Sequence, residues 1–422
     1  MTWTIFRVVN CLGQENEKSI ETKGSIKTTF RIEKQRYNWI DQARGFVMFF
    51  LVVTELMPDT WKHANVILWF FLDHPNDSTN AQYMDFYDIG VPAFFFIIGL
   101  LMAVSFMKRL ETKGKGPAVA NAVLRWAMVG VVGILFIVIP AILGGQSPDT
   151  WFGEVKEIAP GVSWYVVYWD VVPALGFVGL ASIPFLFIPR RERLLVSFAM
   201  MTFYQIMTFI PQTYWRDYAA ASVHGGIIGG IFVMIPITLI ASVIGEFFIL
   251  DKTTAARDKA KNLLLLGIVN AAIGFGLWII PGGYPSKRQS TMSWATISIA
   301  VCIFISYLLL RIDYKDEDFQ KMNPVNKGRI VLFKAYGMNP FLIYALVVIP
   351  DVVIRAVANM LGLLTGNEFW IQLGEWLIIV PVITLIALLL LHANKAISTT
   401  KVAFGVIVVV IGLTLALLPI LL

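Results

Sequence analysis

Seven ionisable residues fall inside or at the edge of long apolar runs: Glu55, Asp88, Arg125, Asp170, His224, Glu246 and Glu375. A charge inside hydrocarbon is costly, so such a group pairs, lines a polar path or does chemistry. Each also has a plainer reading. Glu246 stands near one end of its run, within reach of lipid headgroups, and Glu375 one turn inside another. Asp170 is placed to cap or pair, and Glu55 follows Arg44 by about three helical turns. His224, just before Gly225-Gly226, reads as a polar helix cap, and His74, in a loop, reads by position alone as a bystander.

Two stretches are denser in signal. Arg36-Tyr-Asn-Trp-Ile-Asp41-Gln-Ala-Arg44-Gly45 leads straight into an apolar run. Asp41 and Arg44 share a helix face and can pair, which either braces the start of the helix or presents a guanidinium to a phosphate. Asp88-Ile-Gly-Val-Pro92-Ala-Phe94-Phe-Phe96-Ile-Ile-Gly99 opens a second run. Asp88 is placed to cap it, with Pro92 in the first turn, where a missing N–H is harmless.

The elements that must carry these residues follow from composition. The 422 residues are 57% hydrophobic and 15% charged, with mean hydropathy +0.70. A soluble fold cannot hide that much apolar surface. Runs long enough to span a membrane lie at about 40–58, 88–107, 118–142, 164–188, 193–211, 223–249, 262–280, 292–311, 330–350, 370–391 and 399–421. None alternates as a barrel strand would, so the expected fold is all-α, a polytopic transmembrane bundle of about eleven helices. Residues 1–38 read as a polar, partly disordered cytoplasmic segment and 39–422 as the membrane domain. With no secretory signal and no long lumenal domain ahead of the first run, the expected setting is a prokaryotic plasma membrane.

Orientation follows from charge. With the N-terminus inside, 27 Lys and Arg residues fall in inner loops and 6 outside: Lys62, Lys156, Arg216, Lys287, Arg288 and Arg355, with Arg125 left uncounted near a membrane face. That asymmetry puts the N-terminus in the cytoplasm. It also explains the net charge of +6 without nucleic acid, as basic loops beside anionic lipid. The outer segments 58–87 and 145–170 are rich in Trp and Tyr, which reads as an interfacial belt or a sugar-stacking rim. Cys11 and Cys302 make neither a disulfide framework nor a metal motif, and no metal is expected.

The dense stretches resemble the transmembrane acyltransferases typified by heparan-alpha-glucosaminide N-acetyltransferase and its bacterial relatives. Arg36, Asp41, Arg44 and Gly45 match the opening motif, and Asp88, Pro92, Phe94, Phe96 and Gly99 the next helix. His74 stands in the intervening loop, Arg125 where the third helix carries an arginine, and Gly337-Met338-Asn339-Pro340 with Tyr344 resembles a late glycine-methionine-asparagine segment. The resemblance covers roughly 36–420. It implies transfer of an acetyl group from cytoplasmic acetyl-CoA to an amine or hydroxyl of an extracytoplasmic saccharide. Arg44, paired with Asp41, and Arg125 would hold the CoA phosphates, and Asn339 would line the pocket. His74 would act as general base, Glu55 would orient it or take part directly, and Asp88 would hold its loop. The loop after His74 is longer than the family's, and Glu55 replaces a frequent asparagine, which leaves the acceptor open. Beyond lipid and these substrates, a homodimer stays open as a partner. Two other classes remain: a transporter using Glu55, Asp170 and Glu375 as relay carboxylates, and a non-catalytic relative.

Overall fold

The computed structural model describes residues 38–58, 61, 84, 86–143, 146–222, 224–251, 254–313, 330–360 and 368–421. Arg36, His74, Cys11 and the N-terminal segment lie outside the described residues.

The chain is an α-helical membrane bundle. Its helices are α1 (Asn38–Glu55), α2 (Gly90–Lys113), α3 (Lys115–Leu143), α4 (Val171–Ser182), α5 (Arg190–Phe209), α6 (Trp215–Ala221), α7 (Gly226–Ile249), α8 (Ala256–Trp278), α9 (Met292–Asp313), α10 (Val331–Met338), α11 (Pro340–Met360), α12 (Glu368–His392) and α13 (Thr399–Leu421). Among the described residues, six are long and apolar enough to cross a membrane: α2, α3, α7, α8, α9 and α12. The bent pair α10–α11 would make a seventh. The other expected runs are helical too, but α1 carries Asp41, Arg44 and Glu55, α4 is short, α5 opens on Arg190-Arg-Glu-Arg193, and α13 counts as a shorter apolar helix.

One expectation needs correcting. The run 164–188 does not begin as a helix. Its first residues belong to strand β2 (Val162–Val167), which pairs antiparallel with β1 (Gly153–Ala159) in a hairpin. Val162–Val167 alternates in burial, as a strand with one covered face does. The helix of that run starts only at Val171, after an Asp170 cap.

Small residues let helix backbones touch, which is how apolar helices associate when lipid offers no hydrophobic contrast. At the α1–α10 crossing, a Cβ on Gly45 would land on the Phe333 carbonyl oxygen and one on Gly337 on that of Asp41. At the α2–α7 crossing, Gly99 meets the Thr238 carbonyl and Gly245 that of Leu100. Helix α7 is thereby central, with 78% of its apolar window buried, whereas α12 is peripheral at 22%. A π turn at Gly230–Met234 interrupts α7 where Gly230 packs against the Trp169 ring. Between α10 and α11 the axis turns by 81° at Asn339. Pro340 disfavours helical dihedrals at the residue before it and suits the first turn after it.

Candidate functional site

A cavity of about 490 Å³ runs through the bundle. Along α1 its lining extends from Ala43 to Glu55 through Phe46, Val47, Phe50 and Leu51, a rise of about 18 Å along the helix. Its middle is apolar, with Phe94, Phe96 and Ile97 from α2 and Cys302 and Ile305 from α9. Its Glu55 end is charged: Asp170, His224, Lys156, Lys287 and Arg288 line it, with Tyr344. Glu55 and Asp170 both keep exposed surface and lie within electrostatic reach of one another, and both act on Tyr344.

Local structure explains how these groups are held. Asp170 caps α4, accepting from the Val171 N–H at 2.6 Å. His224 does not cap α7: Gly225 occupies the N-cap position, and no side-chain cap bond forms there. His224 instead stands at φ 51°, in the left-handed region, and lines the cavity. The turn carrying Lys287 and Arg288 is built rather than loose. Ser286, Gln289, Ser290 and Thr291 are buried. The Thr291 N–H donates to Ser286 O at 3.1 Å and the Ser286 N–H to Thr291 Oγ1 at 2.9 Å. The Gly225 N–H donates to Arg288 O at 2.8 Å, the Tyr204 hydroxyl to Gln289 O at 2.5 Å, and Arg288 Nε to Ala220 O. Ser290 sits at φ 50°. A left-handed non-glycine residue persists only where its surroundings enforce it, so the two turns at 224–226 and 286–291 fix one another.

Asp88 joins this end from behind. It lies in a 3-10 turn (Tyr87–Ile89), and the N-cap position of α2 is Ile89, without a side-chain cap bond, so the expected cap is not made there. The Asp88 carboxylate is buried 3.7 Å from Lys287 Nζ, and its carbonyl accepts from Trp294 Nε1 at 3.1 Å.

At the opposite end of α1, Asp41 and Arg44 pair as their spacing predicts. Arg125 lies within electrostatic reach of Arg44 and of Arg109, near the end of α2. Its guanidinium stacks 4.9 Å from the Trp126 ring centroid. The Nε groups of Arg44 and Arg125 are buried without a hydrogen-bond partner, an arrangement that native interiors rarely tolerate unless a ligand or water completes it. Arg109 is the member of this cluster that the sequence did not single out.

Other candidates do not join the cavity. Glu246 accepts from Arg193 Nη1 at 3.1 Å and lies 3.8 Å from Arg190, so it anchors α5 to α7 rather than reaching headgroups. Glu375 is buried on α12, 3.8 Å from Arg355. Asn339 lies away from the cavity lining. Its amide donates to Lys395 O at 3.1 Å and accepts from the Ile397 N–H at 2.7 Å, holding the turn between α12 and α13. Among the described residues, no three His, Cys, Asp or Glu side chains are grouped to hold a metal ion.

No protein-family model matches this chain, and no curated protein matches it. The functional reading therefore stands on the cavity with its charged Glu55 end, and on the arginine cluster of Arg44, Arg109 and Arg125, which lies outside its lining.

Proposed function

We propose that this protein is a membrane-embedded acyltransferase. It takes an acetyl group from cytoplasmic acetyl-CoA and delivers it to an amine or hydroxyl of an extracytoplasmic sugar or glycan. In this reading the bundle has eleven spans, the N-terminus is cytoplasmic, and the protein resides in a prokaryotic plasma membrane. The observation that carries it is a cavity whose lining runs along α1 from Ala43, the residue before Arg44, to the Glu55 cluster. Arg44, Arg109 and Arg125 offer a guanidinium cluster suited to the CoA phosphates. Asp41 orients Arg44, and Asn339 acts on the donor end only through the turn it holds. The phenylalanine-lined middle suits an extended pantetheine arm.

The chemistry balances as follows. A base at the outer mouth removes the proton from the acceptor N–H or O–H as the nucleophile attacks the thioester carbonyl. The tetrahedral intermediate collapses with loss of the C–S bond, leaving a C–N or C–O bond. The departing sulfur takes up a proton and leaves as the CoA thiol. The resemblance assigns the base to His74. Glu55, Asp170 and His224 are the described groups on the cavity able to accept or steer that proton.

A second reading, a transporter, is favoured by the 81° break at Asn339 and the π turn in α7, since broken helices recur at transport sites. Thiol release from acetyl-CoA in the presence of amino-sugar acceptors separates the two. His74→Ala is expected to lower release by at least 100-fold, in line with the roughly 10²–10⁴ contribution of a general base, and His224→Ala by less. Release unchanged in both variants would remove the histidine base. Acceptor uptake into proteoliposomes without CoA would favour the transporter.

A further inference from the structure

Tyr344 lines the cavity on the face of α11 that also carries Val347 and Val348, the three- and four-residue spacing of one helix side. It stands about one turn into α11, just past the 81° bend at Asn339. Its ring centroid lies 6.4 Å from that of Phe136 on α3, and part of its surface stays open. Buried tyrosines elsewhere use their hydroxyls inside the protein: Tyr204 donates to Gln289 O at 2.5 Å, and Tyr336 bonds Thr384 Oγ1 at 2.7 Å. The Tyr344 hydroxyl makes no hydrogen bond among the described residues, and the charges that act on it are Asp170 and Glu55. From this placement we infer that Tyr344 is a further catalytic residue: its O–H donates to the thioester carbonyl oxygen and stabilises the negative charge that gathers there as the acceptor attacks. The inference deepens the acyltransferase reading by assigning the oxyanion donor, and it rests on that reading.

A donor arm in the phenylalanine-lined middle and an acceptor at the charged mouth meet where apolar lining gives way to charge. Tyr344 stands at that boundary, with two valines beside it on α11 and two carboxylates within electrostatic reach. An ionised carboxylate only accepts hydrogen bonds, so Glu55 and Asp170 oppose an oxyanion rather than steady it. The cations of the mouth are engaged elsewhere: Lys287 by Asp88, Arg288 by the Ala220 carbonyl and Lys156 by Glu154. Of the other lining hydroxyls, Ser222 donates to Tyr218 O at 2.9 Å. Ser306 lies about 21 Å along α9 from Met292, the residue after the turn that lines the mouth. A neutral phenol held by packing is a preorganised donor, of the kind whose removal lowers turnover by roughly 10²–10³. When the intermediate collapses, the electron pair on oxygen re-forms the C=O bond as the C–S bond breaks, and the phenol keeps its proton throughout.

The test is isotope-edited infrared spectroscopy of acetyl-CoA carrying carbon-13 at the thioester carbonyl, bound to the full chain in nanodiscs, for wild type and Tyr344→Phe. It needs no acceptor, and the variant removes one oxygen while keeping the ring. A hydrogen bond to the carbonyl moves its band to lower wavenumber. The band of the bound probe is expected at lower wavenumber in wild type than in Tyr344→Phe, with acetyl-CoA affinity within threefold and the unfolding midpoint unchanged. A merely structural role would move the midpoint or the affinity and leave the band in place. Thiol release with glucosamine as acceptor is expected to fall by roughly 10²–10³ in the variant. Identical carbonyl bands in two proteins that bind acetyl-CoA equally would overturn the inference and leave the acyltransferase reading standing. Failure of the wild type to bind acetyl-CoA would overturn both.

Discussion

The buried Asp88 carboxylate lies 3.7 Å from the Lys287 ammonium, joining the start of α2 to the turn before α9 across the chain. The pair fixes one wall of the charged mouth. It also gives Asp88 a role different from the helix cap its position suggested.

Breaking a buried pair from one side leaves an uncompensated charge, which costs roughly 3–5 kcal/mol when desolvation is complete. Lys287 retains some exposure, so the lower end applies. Lys287→Met is expected to lower the unfolding midpoint in detergent, and Lys287→Met with Asp88→Asn to recover part of the loss. A double variant no better than the single would show that the pair is not what holds the turn.

Gly45 and Gly337 meet where α1 crosses α10 backbone to backbone, so a methyl on either has nowhere to go. Gly45→Ala is expected to destabilise by about 1–3 kcal/mol, the usual cost of overpacking. Gly276→Ala, in α8 with open space around it, should instead be neutral or stabilising, by up to about 1 kcal/mol. Thermal unfolding of the two variants reads the contrast directly, and equal effects would contradict the crossing.

Arg193, 1% exposed, binds Glu246 at 3.1 Å, Ser242 Oγ at 3.0 Å and the Ile188 carbonyl at 3.0 Å. This is a structural clamp between α5 and α7. Glu246→Gln is therefore expected to reduce stability while leaving acetyl-CoA affinity of the folded protein within twofold. A selective loss of binding without loss of stability would return Glu246 to the functional set.

Helices were the legible part of the sequence. The run expected at 399–421 is α13, and that expected at 292–311 is α9 to within two residues, because length and apolarity alone mark such segments. Val162–Val167 was not legible as a strand. It is short and continuous with the apolar run of α4, and its alternation matters only once β1 pairs with it. At the site, Asp41–Arg44 followed from three-residue spacing, whereas the grouping of Lys156, Lys287 and Arg288 did not. In the sequence they are loop charges like any others, and only contacts across more than a hundred positions bring them to one cavity. Arg109 was hidden similarly, as one of several basic residues closing α2. The fate of Glu246 depended on Arg193, 53 positions away, a separation that no local pattern reports.

The central claim is that the arginine cluster near the start of α1 holds the donor's phosphates. The most direct measurement is calorimetric binding of acetyl-CoA to the purified protein, wild type against Arg44→Ala and Arg125→Met. Two variants are used because Arg44→Ala also strands Asp41. The account predicts micromolar binding by the wild type and a loss of at least tenfold in each folded variant. No binding at millimolar acetyl-CoA, or equal affinity in all three proteins, would contradict it and direct attention to transport through the Glu55 and Asp170 end of the same cavity.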